Sequence, residues 1–298
     1  MKVLLAVSGG IDSMYMAERA PELFPGASFA VAHCNFCLRG AESDGDEEFV
    51  REWCSRKGMQ LFVKRFDTAA YAAEGHFSIE MAARDLRYAW FGELCREEGF
   101  DKVAVAHNSD DNAETFFLNF LRGTGTRGLR GMSAHGRILR PLLGISREEI
   151  RSWMEANGKV WREDSTNASS AYKRNRLRHE VIPVLREMNP SLPDSFRRAM
   201  EHIAQVDDIA EDYFLSVRDS VCSGGLVSVK ALLALKHARY VLFRLAEPVG
   251  LTETALDNLW DLLCSGRHLA GKVFVGKSGE IRGLAKWRLQ IVVFDKSC

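Results

Sequence analysis

Four short apolar runs, Val3–Val7, Phe29–Ala32, Leu61–Val63 and Val103–Ala106, alternate with helical periodicity through the first half of this 298-residue chain. Runs of this length predict strands buried on both faces, with helices between them near residues 12–20, 42–57 and 78–97. On the last of these helices Ile79, Ala82, Ala83, Leu86, Trp90 and Leu94 share one face, while Glu80, Arg84, Arg87 and Arg96 lie on the other. Strand–helix alternation implies βαβ units with right-handed crossovers and ligands at the carboxyl ends of the strands. The expected fold class is therefore α/β, a Rossmann-like parallel sheet. After about Pro183 the pattern changes: residues 191–218 read as helix, Gly224-Gly225 breaks the chain, and two helical segments precede the apolar runs Val273–Val275 and Leu289–Phe294. This layout predicts a first domain over 1–185, a connecting helical segment over 186–218, and a smaller C-terminal α+β domain over 219–298.

Composition sets the outer limits. Charged residues make up 27% and hydrophobic residues 46%, which argues against long disorder. The apolar run at the N-terminus is cut at once by Ser8-Gly9-Gly10, too short for a signal peptide, and no stretch approaches the roughly 20 residues of a membrane span. A cytoplasmic protein is expected, with its seven scattered cysteines reduced. Zero net charge alone argues mildly against a nucleic-acid partner, because phosphate contacts need Lys and Arg. The distribution points the other way. Arg122, Arg127, Arg130, Arg137 and Arg140 follow one another without an intervening acid, and Lys173, Arg174, Arg176 and Arg178 form a second cluster. A locally basic face suits a limited RNA footprint, although a solvated helix face is the default reading of the second cluster alone.

The first chemical signal is Ser8-Gly9-Gly10-Ile11-Asp12-Ser13, which ends the first strand and opens a helix. The glycines permit a tight turn and close approach of a ligand, the helix start presents unpaired N–H groups to an anion, and Ser8 and Ser13 add hydroxyls. Asp12 would repel a phosphate unless a cation intervened, so Mg²⁺ between Asp12 and phosphate oxygens is expected. A plain strand–helix turn with a capping side chain would carry much of the same string. Neither the Walker pattern nor the dinucleotide fingerprint fits. The string resembles the PP-loop of ATP pyrophosphatases, which cleave ATP between its α- and β-phosphates; Ala32 and His33 are counted with Ser8–Ser13 in the ATP site.

A second constellation, Ala106 to Thr115, also ends a strand and opens a helix. Ala113, Phe116, Phe117, Phe120 and Leu121 are predicted to form that helix's buried stripe. Asp111 and Glu114, three apart, then lie together off the stripe near the helix start. They could be an N-cap and its capping-box partner, or a paired carboxylate site for an ammonium group. The shared rim with the glycine loop favours the second.

Ala106–Thr115 followed by Arg122-Gly123-Thr124-Gly125 resembles the signature of the tRNA(Ile)-lysidine synthases. So do Ala83–Tyr88, Arg140-Pro141-Leu142-Leu143, Glu163–Asn167 and Arg174–His179, and more weakly Ser265-Gly266-Arg267. The resemblance implies a PP-loop, adenine nucleotide alpha hydrolase-like domain. It also implies ATP-dependent ligation of L-lysine to the wobble cytidine of tRNA(Ile) with a CAU anticodon. Asp111 and Glu114 would grip lysine. Arg84 or Arg87, together with Arg174, Arg176 and Arg178, would work on nucleotide and RNA, with Arg122 also on tRNA. Tyr88, Trp161 and Tyr172 are candidates to stack on a splayed base, against core packing for each. Two departures stand out: Cys37 and Asn108 occupy positions where the family commonly has histidine. Cys34 and Cys37 thereby acquire a Cys-x-x-Cys spacing, which leaves a PP-loop tRNA thiolase as one alternative and a non-catalytic ATP-binding module as another.

Overall fold

The computed structural model describes residues 1–132, 136–163 and 173–294. Asp164–Asn167, part of one motif above, and Tyr172 lie outside the described residues.

The chain divides into two compact units, residues 1–204 and 205–298. The first is built on a five-stranded parallel sheet of β1 (Lys2–Ala6), β2 (Ser28–Asn35), β3 (Leu61–Arg65), β4 (Lys102–Ala104) and β5 (Ile138–Leu139), in the order β3-β2-β1-β4-β5. Val3, Leu4 and Leu5 of the central strand are fully buried because β1 is covered on both faces. One face packs Val3 and Leu5 with Met14, Val50, Leu142 and Ile150. The other packs Leu4 with Trp90, Phe91 and Leu94 of the helix Ile79–Glu97. The predicted strands are all present; β5, two residues long, is too short to carry a periodic signal.

Strand order reverses direction at β1, whose neighbours are β2 and β4. In an open α/β sheet such a reversal leaves a crevice at the carboxyl ends of the two diverging strands. The glycine loop leaves β1 and the segment Ala106–Asn108 lies beyond β4, so topology alone brings the two constellations to one crevice.

Glu47 braces this unit at the carboxyl ends of β2 and β3. It sits in the helix Ala41–Lys57 and accepts hydrogen bonds from Asn35 of β2 (2.9 Å), Arg51 (3.0 and 2.8 Å) and Arg65 of β3 (2.8 Å). Burial would raise its carboxyl, yet these donors hold it down at about 2.

The helix Ser109–Phe120 departs from its expected pattern at one end. Ala113 is buried and Phe116 and Phe117 are half-buried, but Phe120 is 60% exposed and Leu121 69% exposed. Periodicity gives the direction of an apolar face; it does not say where the surface covering that face stops.

In the second unit β6 (Cys222–Ser223), β7 (Leu226–Ser228), β8 (Val273–Val275), β9 (Gly279–Ala285) and β10 (Arg288–Val293) form an antiparallel sheet in the order β6-β7-β10-β9-β8. The helices Ala238–Ala246 and Glu253–Cys264 pack Val241, Leu242, Leu259 and Leu263 against Ile281 and Leu289 of the sheet. This is a separate α+β core, as the second half of the sequence predicts. Among the described residues, no helix is long and apolar enough to cross a membrane.

Candidate active site

The glycine loop is shaped by its own side chains. Gly9 takes φ +95°, a conformation open to glycine and strained for other residues. The Ser13 hydroxyl donates to the Gly10 carbonyl at 2.8 Å and accepts from the Ser8 N–H at 3.1 Å, closing the loop on the first turn of the helix Ile11–Glu18. A residue far along the chain completes it: the Arg162 N–H donates to the Gly9 carbonyl at 2.9 Å, and its guanidinium holds Asp46 at 3.0 Å. A Cβ at Gly9 would meet Phe49, Val50 and Arg162 only at 3.6–3.7 Å, so the obstacle there is strain and not a clash. Gly9→Ala is therefore expected to cost about 1–3 kcal/mol and to weaken nucleotide binding. Thermal unfolding and nucleotide titration check this, and wild-type values in both would refute the strained-loop account.

Asp12 faces the crevice. Its Oδ1 accepts from Asn108 Nδ2 at 3.0 Å and its Oδ2 from Arg147 Nη2 at 3.1 Å. Burial raises its pKa; the Arg147 charge opposes that shift and the nearby Asp111 adds to it. Asn108, fully buried, is the N-cap of the Ser109–Phe120 helix, and Asp111 is its capping-box partner. The cap thus sits one turn earlier than the Asp111–Glu114 box considered from spacing. Asn108 serves twice, as helix cap and as the link from that helix to the PP-loop carboxylate.

Asp111 and Glu114 come together as expected, and arginines meet both. Glu114 is 0% exposed, with Arg178 on both oxygens at 2.6 and 3.1 Å and Arg174 Nε at 3.2 Å. Burial raises its pKa and the Arg178 pair pulls it back. Asp111 is held more loosely: its Oδ2 accepts the Asn108 N–H, while Oδ1 lies 3.5 Å from Arg178 and 3.9 Å from Arg147.

A cavity of about 340 Å³ opens beside these groups. Ala6, Ala32, Phe36, Phe91 and Val105 supply an apolar wall; Ser8, Gly10, Asp12, Ser13, Arg147 and Arg162 supply a polar one. One end suits a base and the other suits phosphates. Arg87 lines this cavity with its guanidinium 5.1 Å from the Phe36 ring, whereas Arg84 stacks on Tyr88 at 4.8 Å outside it. Tyr88 lines the cavity as well. Arg176 turns outward to Glu180 at 3.2 Å, and Arg122 is exposed at the far end of the 109–120 helix. Trp161 is half-buried, its indole N–H donating to Glu163 at 2.9 Å.

His33 does not reach the cavity. Strand residues alternate between faces, so Ala32 and Cys34 point in while His33 bonds the Val7 carbonyl at 2.9 Å on the other side. The Cys34 thiol is pushed up by burial to about 12, a neutral thiol, and Cys37 is exposed at φ +54°. His107 is brought down to about 4 chiefly by burial, against Asp111 and with help from Arg140, Arg174 and Arg84. Its Nδ1 accepts from Arg140 Nε at 3.3 Å, which leaves a neutral ring at pH 7.

Arg147 is the site residue that sequence reading missed. It is the first residue of the helix Arg147–Ala156, started by the Ser146–Glu149 capping box, and its own N–H donates to Asp110 at 2.8 Å. Its guanidinium lies between Asp12 and Asp111 and also lines a second cavity of about 300 Å³ bordered by Glu114, Arg178 and Arg186. The capping box marks the helix start in sequence; that this start faces Asp12 is visible only in the fold.

A glycine loop closing a helix start at the switch point of a parallel sheet defines the class. Residues 1–185 match the PP-loop domain family, and the chain belongs to it. It is 41% identical over 263 residues to a tRNA(Ile)-lysidine synthase of Parabacteroides distasonis, covering 88% of this chain and 60% of that one. To the enzyme of the same name from Chlorobaculum tepidum it is 46% identical over 217 residues, 70% of this chain and 64% of the relative. The chain thus spans about 60% of the length of the curated relatives it matches. Among solved structures, a U34-tRNA thiolase from Methanococcus maripaludis with its [4Fe-4S] cluster superposes with a TM-score of 0.57 at 20% identity, over 69% of this chain and 73% of that one. That likeness concerns the fold.

Proposed function

We propose that this chain ligates L-lysine to C2 of the wobble cytidine of tRNA(Ile) with a CAU anticodon, through an adenylated cytidine, consuming ATP and releasing AMP and pyrophosphate. The observation that carries the reading is the joining of two sites on one rim. The PP-loop cavity and the carboxylate–arginine cluster meet through Asp12, Asn108 and Arg147. The similarity to tRNA(Ile)-lysidine synthases supplies the acceptor and the amine.

ATP would lie with its base on the apolar wall and its phosphates on the loop N–H groups, Ser8 and Ser13. The cytidine C2 oxygen attacks the α-phosphorus, pyrophosphate leaves, and the lysine ε-amine then displaces AMP from C2. Donors fixed before the reaction stabilise the developing charge without reorganising. Asp111, partly open and loosely paired, is the carboxylate suited to take the amine's proton, since a free ε-ammonium has a pKa near 10.4. Glu114, enclosed by two guanidinia, orients Arg174 and Arg178. Mg²⁺ fits the donor set: Asp12 is a half-buried carboxylate beside a second one, and among the described residues no trio of His, Cys, Asp or Glu could hold an ion alone, so phosphate oxygens would complete its shell. Bound there it would neutralise charge on the leaving pyrophosphate. In the second unit, Lys230 and Lys286 stand 5.8 and 5.5 Å from the Trp287 ring, a basic aromatic surface we assign to tRNA contact.

Release of pyrophosphate that requires both tRNA and lysine tests the proposal. Release without lysine incorporation, or none with tRNA present, would exclude it. The thiolase reading needs a reactive thiolate, and Cys34 is a neutral thiol. Cys37→Ser is accordingly expected to keep lysine incorporation within about twofold of wild type. A folded but inactive variant would restore the thiolase reading.

A further inference from the structure

The far end of the 109–120 helix carries an arrangement that the reaction above does not use. Phe120 and Leu121 are exposed, and the Phe120 ring lies parallel to Phe116, 3° between planes and 6.4 Å between centroids. Phe116 and Phe117 each meet Phe196 edge-on at 5.3 and 5.1 Å. Four rings thus form a braced stack whose outermost face is open. The turn that follows is fixed in place: Asn119 Nδ2 donates to the Gly128 carbonyl at 2.8 Å, and Gly123 takes φ +72°. Arg122 is exposed on this turn, and Arg127 on the short helix Thr126–Leu129 that follows it. No Asp or Glu occurs anywhere between Glu114 and Glu148.

We infer that Phe120 and Leu121, with Arg122 and Arg127, are a stacking platform for an unpaired base of the RNA loop whose neighbouring nucleotide enters the active site. This rests on the tRNA reading proposed above. An open aromatic face accepts any base, and arginines track the phosphates beside it, the pairing by which proteins hold single-stranded nucleic acid. The placement agrees. Residues 111 and 120 are nine apart on one helix, so the platform stands roughly 14 Å along from Asp111, within the span of a few nucleotides. A second copy of the chain is a poorer occupant, because a two-fold interface would bring these arginines against themselves.

The test is fluorescence anisotropy with a labelled anticodon stem-loop RNA carrying a CAU loop, titrated with the full chain at fixed salt. Phe120→Ala is expected to weaken binding roughly tenfold or more, and Phe120→Trp to keep it within about threefold, since either ring can stack. Arg122→Gln should lower the slope of log affinity against log salt by about 0.7. Leu121→Ser, at a largely exposed position, is read in parallel in case the loss of Phe120 disturbs the stack beneath it. Wild-type affinity in both Phe120→Ala and Leu121→Ser overturns the platform while leaving the ligase reading intact. Unchanged RNA binding with loss of self-association in sedimentation also overturns it, and makes the patch a contact between copies. Failure of the wild-type chain to bind this RNA at all overturns the ligase reading itself.

Discussion

Asp12→Asn is expected to lower tRNA-dependent exchange of labelled pyrophosphate into ATP by about two to three orders of magnitude, the usual effect of removing one preorganised electrostatic group from a reacting centre. The substitution keeps the shape of the side chain and removes its charge. Asn108 Nδ2 and Arg147 Nη2 both donate to this carboxylate, so an amide there would face one of its bonded neighbours with the wrong polarity. RNA affinity should stay near wild type, because Asp12 lies on the nucleotide side of the crevice. A rate close to wild type would mean that the loop does not bind the phosphates.

The second large effect concerns Glu114→Gln. This carboxylate is fully buried and neutralises Arg178 at 2.6 Å and Arg174 at 3.2 Å, so the change removes the counter-charge they share and leaves Arg178 with the more distant Asp111 at 3.5 Å. Losing one partner of a buried ion pair costs about 3–5 kcal/mol, which in a unit of this size lowers the melting temperature by about 6–20 °C. The lysine concentration needed for half-maximal rate should rise by about one to two orders of magnitude as the arginines lose their orientation. Asp111→Asn, in a carboxylate only loosely paired, should change the lysine requirement with a smaller loss of stability. Equal thermal losses in the two variants, with an unchanged lysine requirement, would reduce both residues to structural roles.

Local features of this protein were legible in the sequence because local physics decides them. The strand ends, the glycine loop, the Ser146–Glu149 capping box and the juxtaposition of Asp111 and Glu114 all depend on residues within one or two turns. What escaped depends on distance. Arg147 reaches Asp12 across 135 residues, and no pattern near position 147 announces it. The basic stretch 122–140 divides: Arg140 reaches His107 at the crevice, whereas Arg137 acts on Cys95 on another side of the sheet. The sequence neighbours of His33 point to a place in the site, although alternation along β2 turns its ring to the Val7 carbonyl. Phe120 and Leu121 followed the helical period faithfully and ran past the end of the surface that could cover them.

The hydrogen bond from the Arg162 N–H to the Gly9 carbonyl bears on the order of events during synthesis. The loop leaves the ribosome before the residue that completes its shape, which is made 153 positions later, and β1 lacks its β4 neighbour until Lys102–Ala104 has appeared. At ordinary elongation rates of about 5–20 residues per second, that interval is roughly 8–30 seconds. Throughout it the apolar Val3–Leu5 segment is central to a sheet that does not yet exist. On the reading proposed above, nucleotide would meet the closed loop only once synthesis has passed Arg162. Chains arrested before that point would lack the hydrogen bond that closes the loop.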